Sequence, residues 1–409
     1  MIFLRGDLAI WGIAALGTLG VLFRPAGLPE WVWAGLAAML LVATGLVPAA
    51  AAWAALRRGT DVYLFLIGMM LLAETARIAG LFEALAARAV NRARGSGRRL
   101  FALLYLAGTL VTVFLSNDAT AVVMTPAVAA VTRAAGVAEP LPYLLICAFI
   151  ANAASFVLPI SNPANLVVYG AHLPPLGAWL GRFALPSLAA ILATYLVLRA
   201  AEARALRGAV AGGLPVPALG RQGRRAAAGL AGTALLLLFA SWRGWPLGPP
   251  TLLAGLASAG LTCRGDGAGP RFRRVLAGIS WGVLPLVGGL FVLVAGLDRT
   301  GLTHGLAMWL RQGATAAPAS AAMAAGVAAG VAANLANNLP AGLLAGRAVE
   351  AAGATGLLPA AILIGIDLGP NLSVTGSLAT LLWLAALRRE ALPIAAGRFL
   401  RLGIRVMPP

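Results

Sequence analysis

There is no lysine anywhere in these 409 residues, and only 11% of them are charged. A soluble domain needs a shell in which about a quarter of all residues carry charge. This chain cannot build one, so a bilayer must serve as its solvent. Histidine occurs twice and cysteine twice. Cys147 and Cys263 lie far apart in the chain, which excludes both a disulfide framework and a cysteine–histidine metal cluster. The phosphate-cradling G-x-x-x-x-G-K-[ST] loop is absent, so the chain does not itself hydrolyse ATP. No serine–histidine–acid spacing, metal-ligand set or cofactor motif is found, and nothing points to an enzyme. The N-terminal apolar stretch lacks a basic n-region and a small-residue cleavage site, so it reads as a first span rather than a signal peptide.

Apolar residues make up 60% of the chain. A spanning helix needs about 20 of them in sequence. Apolar runs occur at 8–22, 31–46, 62–73, 100–115, 176–198, 226–240 and 275–297. The net charge of +18 comes from arginines placed between these runs. There they set orientation in a membrane. No polar domain exists to bind nucleic acid with them.

The chain repeats itself. Gly80-Leu81 returns as Gly301-Leu302, Leu115-Ser116-Asn117-Asp118 as Leu335-Ala336-Asn337-Asn338, and 151–166 as 366–381, at offsets of 221, 220 and 215 residues. An arginine-rich stretch divides the two copies. The expected organisation is a first repeat at 1–198, a cytoplasmic linker at 199–225 and a second repeat at 226–409. With the linker, 91–99, 264–274 and Arg388-Arg389 all placed inside, each half reads as three spans, an amphipathic surface helix, a re-entrant hairpin, and a broken helix plus a span. The surface helix at 82–94 is then inside and that at 302–311 outside, so the repeats are inverted. Arg5 and Arg57-Arg58 fall outside in this scheme. The repeat predicts a last span after Arg405, where the sequence reaches Pro408-Pro409, which leaves open whether that span is missing.

Polar residues at mid-bilayer depth are costly and mark pathways. Four polar clusters interrupt the apolar runs. Ser116-Asn117-Asp118-Ala119-Thr120, with Pro126 beyond, reads as the tip of a re-entrant hairpin whose second arm starts there. Asp118 is either a helix cap or a site residue, or both, because a helix N-terminus also attracts oxyanions and polar ligands. Asn337-Asn338-Leu339-Pro340, with Asn334 one turn earlier, is its counterpart. Ser161-Asn162-Pro163-Ala164-Asn165, preceded by Asn152 and Ser155, reads as a broken span. So does Asp367-Leu368-Gly369-Pro370-Asn371, followed by Ser373, Thr375, Gly376, Ser377 and Thr380. A span unwinds only where protein or a water-filled cavity satisfies its backbone, and helix packing through small residues is the alternative for Gly376-Ser377.

The candidate solute-binding residues are therefore Ser116, Asn117, Asp118, Asn337, Asn338, Ser161, Asn162, Asn165, Thr375, Gly376, Ser377 and Thr380. Four carboxylates lie in apolar context. Glu74 has Arg77 one turn on and is expected to pair with it. Asp298 adjoins Arg299 at a span end. Asp118 and Asp367 sit inside the polar clusters. Withdrawal from water favours the protonated carboxyl, so these two are the proton-carrier candidates. His172 and His304 lie near expected surfaces and are read as ordinary.

At these clusters the sequence resembles the arsenite/antimonite efflux pumps (ArsB type) of the ion-transporter superfamily. Ile364-Gly365-Ile366-Asp367-Leu368-Gly369-Pro370, continuing to Gly376-Ser377-Leu378-Ala379-Thr380-Leu381-Leu382-Trp383-Leu384, is similar to the family's C-terminal signature. Asn337-Asn338-Leu339-Pro340, Ser116-Asn117-Asp118 with Thr125-Pro126, and Ser161-Asn162 resemble its hairpin and break motifs. The resemblance covers most of the chain. It implies an all-α, elevator-type fold and a multi-pass protein of the bacterial cytoplasmic (inner) membrane. It also implies export of arsenite or antimonite against inward protons, without a cofactor and in some bacteria with a docked cytoplasmic ATPase subunit. Arsenious acid is neutral at pH 7, so amides and hydroxyls can bind it without a buried charge. A single cysteine, Cys147, seldom suffices to bind arsenic. Two positions depart from the family pattern: Asn152 stands where these pumps usually carry Asp, and Asn371 where they often carry Lys. The alternatives are a sodium- or proton-coupled carboxylate transporter, a sodium–proton antiporter, and a passive channel.

Overall fold

The computed structural model describes residues 2–265, 267–392 and 394–407. The expectation made at Pro408-Pro409 lies outside them. Among the described residues the regular structure is all helical, apart from one isolated bridge between Ser96 and Ala209. The first half runs α1 (Ile2–Phe23), α2 (Glu30–Ala43), α3 (Ala49–Arg58), α4 (Thr60–Ile78), α5 (Leu81–Ala93) and α6 (Gly97–Phe114). It continues with α7 (Asn117–Ala119), a π-helical stretch at Thr120–Met124, α8 (Thr125–Ala134), α9 (Leu141–Ala153), α10 (Pro163–Tyr169) and α11 (Leu176–Ala201). The second half runs α12 (Arg221–Trp242), α13 (Gly248–Thr262), α14 (Ala268–Gly278), α15 (Val283–Arg299) and α16 (Leu302–Ala316). It ends with α17 (Pro318–Ala336), α18 (Asn338–Ala352), α19 (Leu357–Leu368), α20 (Leu378–Arg389) and α21 (Ala396–Val406).

The element order repeats, with α7–α8 together matching α18. Both α5 and α16 follow a left-handed glycine, Gly80 at φ 74° and Gly301 at φ 82°. A side chain resists that conformation, which explains why Gly-Leu recurs at these two corners.

Among the described residues, six helical stretches are long and apolar enough to cross a membrane, one of them running from α14 through α15, and α4 with α5 forms a further apolar pair bent by 58°. The six include α17, which the sequence presents as a hairpin arm. The short helix α14 overlaps 264–274, expected as a loop, and α3 precedes α4; both contain alanine, arginine and leucine, strong helix formers. Large apolar side chains stand fully outward on α1 (Leu8, Leu16, Phe23), α11 (Leu185, Leu196) and α12 (Leu235, Trp242). Surface of that kind requires lipid.

The described chain divides into two compact units, each drawing on both halves of the sequence. The first comprises residues 1–63, 164–173 and 280–369, and holds α1–α3, α10 and α15–α19. Its tightest packing is α17 on α19, and it is made by glycines. A Cβ on Gly326 would lie 2.8 Å from the Ala361 carbonyl oxygen, and one on Gly369 would lie 2.5 Å from Gly330 Cα. Gly365 meets the Gly326 carbonyl more closely still. Two G-x-x-x-G rows thus face one another, the arrangement that lets backbones touch where no hydrophobic force drives helices together.

The second unit comprises 64–163, 174–279 and 370–409. Here α4 crosses α13 at Gly68 and Gly255, where a Cβ on Gly255 would lie 2.6 Å from the Gly68 carbonyl oxygen. The stretch 208–220 has no regular secondary structure, yet it is tied down. Asn91 on α5 donates to the Leu214 carbonyl at 2.8 Å and accepts from the Leu214 amide at 2.9 Å, replacing a missing strand partner. Val210 N–H donates to Gly95 O and Ala211 N–H to Ala135 O. Gly403 of α21 rests on the Asn371 and Leu372 carbonyls, where a Cβ would lie 2.5 and 2.6 Å from their oxygens.

Candidate functional site

The second unit contains the first hairpin tip and parts of both helix breaks. Helix α6 stops at Phe114. Ser116 is extended, and its Oγ accepts from the Ala119 amide at 3.2 Å; Asn117 Oδ1 accepts from the Asp118 amide at 2.9 Å. Ser116 and Asn117 therefore cap the returning arm, and Asp118, half-buried, is left out of the capping. Thr120 Oγ1 lies 2.8 Å from Thr112 Oγ1 and closes the hairpin across its two arms. The tip packs against α9 and α20.

The first break begins after Ala153. Ser161 Oγ donates to the Val113 carbonyl at 2.9 Å and accepts from the Leu158 amide at 3.2 Å. It thereby serves a carbonyl at the end of α6 that has no helical partner. Ser155 Oγ donates to Asn152 O at 2.7 Å, and Trp179 Nε1 donates to Phe156 O at 3.1 Å. On the far side of the second break, Ser377 caps α20 by accepting from the Thr380 amide at 3.1 Å. Ser373 and Thr375 hydroxyls lie 3.1 Å apart, half-buried, and Gly376 N–H donates to Ser373 O. Trp383 Nε1 donates to Leu144 O at 2.9 Å and locks α20 onto α9. Asn162 is buried in the first break.

The two breaks are joined through the two positions singled out as lacking charge. Asn152 Nδ2 donates to Asn371 Oδ1 at 3.1 Å and to Thr380 Oγ1 at 3.4 Å. Thr380 Oγ1 lies 2.8 Å from Ser377 Oγ. All four side chains are fully buried. A neutral amide pair does the bridging here. Position-by-position reading did not put Asn152 or Asn371 among the binding candidates, because neither residue shows alone that it faces the other.

The first unit contains the second hairpin tip, α10 and the end of α19. Asn337 caps α18, its Oδ1 accepting from the Leu339 amide at 3.4 Å. Its backbone sits at φ 77°, ψ 152°, a region otherwise used by glycine, at a cost of about 1–3 kcal/mol. Asn338 is buried beside it. Asn334 Nδ2 donates at 2.8 Å to both Gly330 O and Gly369 O. That bond gives the terminal carbonyl of α19 a partner and ties hairpin arm α17 to the start of the break. Asp367 is buried in the last turn of α19, where an ionised carboxylate would face the negative end of the helix dipole. Asn165 is buried on α10, which lies against α18 where a Cβ on Gly346 would be 2.7 Å from Val167 O.

Outside these clusters, Arg77 Nε donates to Glu74 Oε2 at 2.8 Å, the pair expected from their spacing. Asp298 instead pairs with Arg347 of α18 at 2.7 Å, a partner 49 residues away. His172 and His304 are exposed. Cys147 and Cys263 are buried and unbridged.

Multiple apolar spans, hairpins with capped polar tips and spans broken at buried amides and hydroxyls define a polytopic membrane transporter rather than an enzyme. The chain belongs to the citrate transporter family CitMHS, whose model matches residues 14–366. It is 29% identical over 410 residues to an arsenical pump membrane protein of Escherichia coli, covering 95% of this chain and 93% of that one. It is 28% identical over 425 residues to an arsenical pump membrane protein of Yersinia enterocolitica, covering 97% and 95%. Among solved structures it shares its fold with the YdaH transporter of Alcanivorax borkumensis, a protein described as having an unusual topology. The TM-score is 0.56 at 20% identity, over 87% of this chain and 85% of that one. The protein is thus a multi-pass transporter of the bacterial inner membrane.

Proposed function

We propose that this transporter exports arsenite and antimonite in exchange for protons. The observation that carries the reading is the near full-length likeness to arsenical pump membrane proteins. The chemistry of the breaks supports it. Between 141 and 171, and between 357 and 387, there is no lysine or arginine. An uncharged trihydroxy solute needs donors and acceptors, which Asn, Ser and Thr supply, and needs no counter-charge. The solute-binding residues in this reading are Ser116, Asn117, Asp118, Ser161, Asn162, Thr375, Gly376, Ser377 and Thr380 of the second unit, and Asn165, Asn337 and Asn338 of the first. Asp118 and Asp367 carry the protons. The two sequence repeats are inverted in the membrane, with 199–225 as the cytoplasmic linker between them.

The test is expression in a strain lacking arsenite efflux. Intracellular arsenic falls below the vector control; an unchanged level rejects the reading. Asp118→Asn and Asp367→Asn each flatten the dependence of flux on the proton gradient, and unchanged pH dependence in both removes them as carriers.

A second reading is transport of a carboxylate, favoured by the description of the family model. A citrate-sized anion requires fixed cations or a bound sodium ion. Sodium-dependent citrate uptake into proteoliposomes, with no arsenite flux, would establish it. An ATPase subunit that raises arsenite flux on addition would extend the first reading to a partner.

A further inference from the structure

We propose that Asn371 is a solute-binding residue whose side-chain NH2 donates to an oxygen of the transported solute, and that Asn152 is the positioning residue that turns it outward from the amide pair. The inference rests on the exporter reading for its solute class. It rests on the geometry of the second unit for its residue.

A primary amide has two donor hydrogens and one acceptor oxygen. Asn152 spends its donors on Asn371 Oδ1 at 3.1 Å and Thr380 Oγ1 at 3.4 Å. Holding Asn371 by its oxygen fixes the flip of that amide, so its NH2 group points away from Asn152. Asn371 has no exposed surface, and its Nδ2 has no acceptor. A buried donor left without a partner costs about 1–3 kcal/mol. Several buried hydroxyls, such as Ser187 and Ser258, also lack partners. A hydroxyl can rotate towards a carbonyl of its own helix, whereas an amide pinned by its oxygen cannot.

The place of Asn371 argues for the same conclusion. It closes the one-turn helix Gly369–Asn371, after which the chain stays non-helical until Ser377. Gly403 supports the backbone there from one side. Unwound backbone at membrane depth is tolerated where protein or a polar cavity satisfies it. No lysine or arginine lies within 357–387, so this segment itself offers no counter-charge to an anion. The fitting acceptor is a hydroxyl-type oxygen of an uncharged solute.

Two near-isosteric variants separate this role from a structural one. Asn371→Leu, of similar volume, removes the donor and leaves Asn152 donating to Thr380 Oγ1 alone. Asn152→Leu releases Asn371 Oδ1, so the amide is free to turn and its donor is no longer aimed. Purified full-length protein is assayed for arsenite flux in proteoliposomes and for arsenite protection against thermal unfolding. In both variants the KM for arsenite and the arsenite concentration giving half-maximal protection rise about three- to tenfold, the worth of one neutral hydrogen bond. Maximal flux stays within about twofold; the solute-free melting temperature does not fall in Asn371→Leu, where a buried orphan donor is removed, and falls in Asn152→Leu, which leaves the Asn371 amide without its partner. Wild-type protection by arsenite with unchanged midpoints in both variants overturns the inference and leaves the exporter reading standing. If arsenite neither crosses nor protects the wild type, the exporter reading fails. Citrate protection then decides the residue: shifted midpoints in the variants retain Asn371 as a solute donor, and unshifted ones overturn it.

Discussion

Substituting Gly365 by alanine tests whether the close crossing of α17 and α19 holds the second break in place. A Cβ at Gly365 would overlap the Gly326 carbonyl oxygen and come within 3.0 Å of the Gly330 amide nitrogen. Both obstacles are backbone, so one helix must move. Forcing a methyl group into packed structure costs about 1–3 kcal/mol. A displacement of about 1 Å also stretches the Asn334–Gly369 bond, now 2.8 Å, past hydrogen-bonding distance, at a further cost of about 0.5–1.5 kcal/mol. Alanine returns about 1 kcal/mol of helix propensity. The net expectation is a loss of about 1–3 kcal/mol. Gly232→Ala on α12 is the matched control, since a Cβ there meets nothing within 4 Å. It should gain about 0.5–1 kcal/mol. The same chemical change thus has opposite signs at two sites. Melting of the detergent-solubilised protein should separate the variants by about 2–5 °C, with Gly365→Ala the lower. Equal melting, or a higher value for Gly365→Ala, would refute the close crossing.

Other expectations follow from single residues. Asn337→Gly relieves the backbone strain of about 1–3 kcal/mol and loses only a few tenths at the cap, so the melting temperature rises while solute flux falls; a lower melting temperature contradicts the strain. Asn91→Ala removes both bonds to Leu214 and frees the stretch 208–220. Limited proteolysis there should accelerate severalfold, and an unchanged rate would show that Asn91 does not anchor it. The Asp298–Arg347 pair is about one-third exposed at each side chain, so a double-mutant cycle on melting should give a coupling of no more than about 1 kcal/mol. A coupling several times larger would mean the pair is shielded from solvent.

The sequence displayed the architecture well where local chemistry decides it. Ser116 and Ser377 announce helix starts because a short hydroxyl is the natural cap, and both do accept from the amide three residues on. Gly80 and Gly301 mark corners because they take positive φ. What stayed hidden were contacts between distant segments. Asn152 and Asn371 are separated by 219 positions, and only folding shows that they share a hydrogen bond. Asp298 adjoins Arg299 in sequence, but adjacent residues on a helix do not face each other, and its partner is the distant Arg347. Gly326, Gly330, Gly365 and Gly369 lay open as two G-x-x-x-G rows and could have been paired. The anchoring of 208–220, within the stretch expected as a linker, is equally hidden, because Asn91 is an isolated polar residue more than a hundred positions upstream.

The π-helical stretch at Thr120–Met124 makes the two hairpins mechanically unlike. A π turn houses one residue more than an α turn, so the first returning arm carries an insertion in its register. The second, α18, runs without one. Removing a single residue such as Val122 would let the first arm close into regular α-helix. Everything on the tip side of the deletion would then turn by about 100° relative to α8, carrying Ser116, Asn117 and Asp118 to a different azimuth. The azimuth of the first tip is therefore set by residue count rather than side-chain identity, so conservative substitution inside the stretch should be tolerated far better than any change in its length.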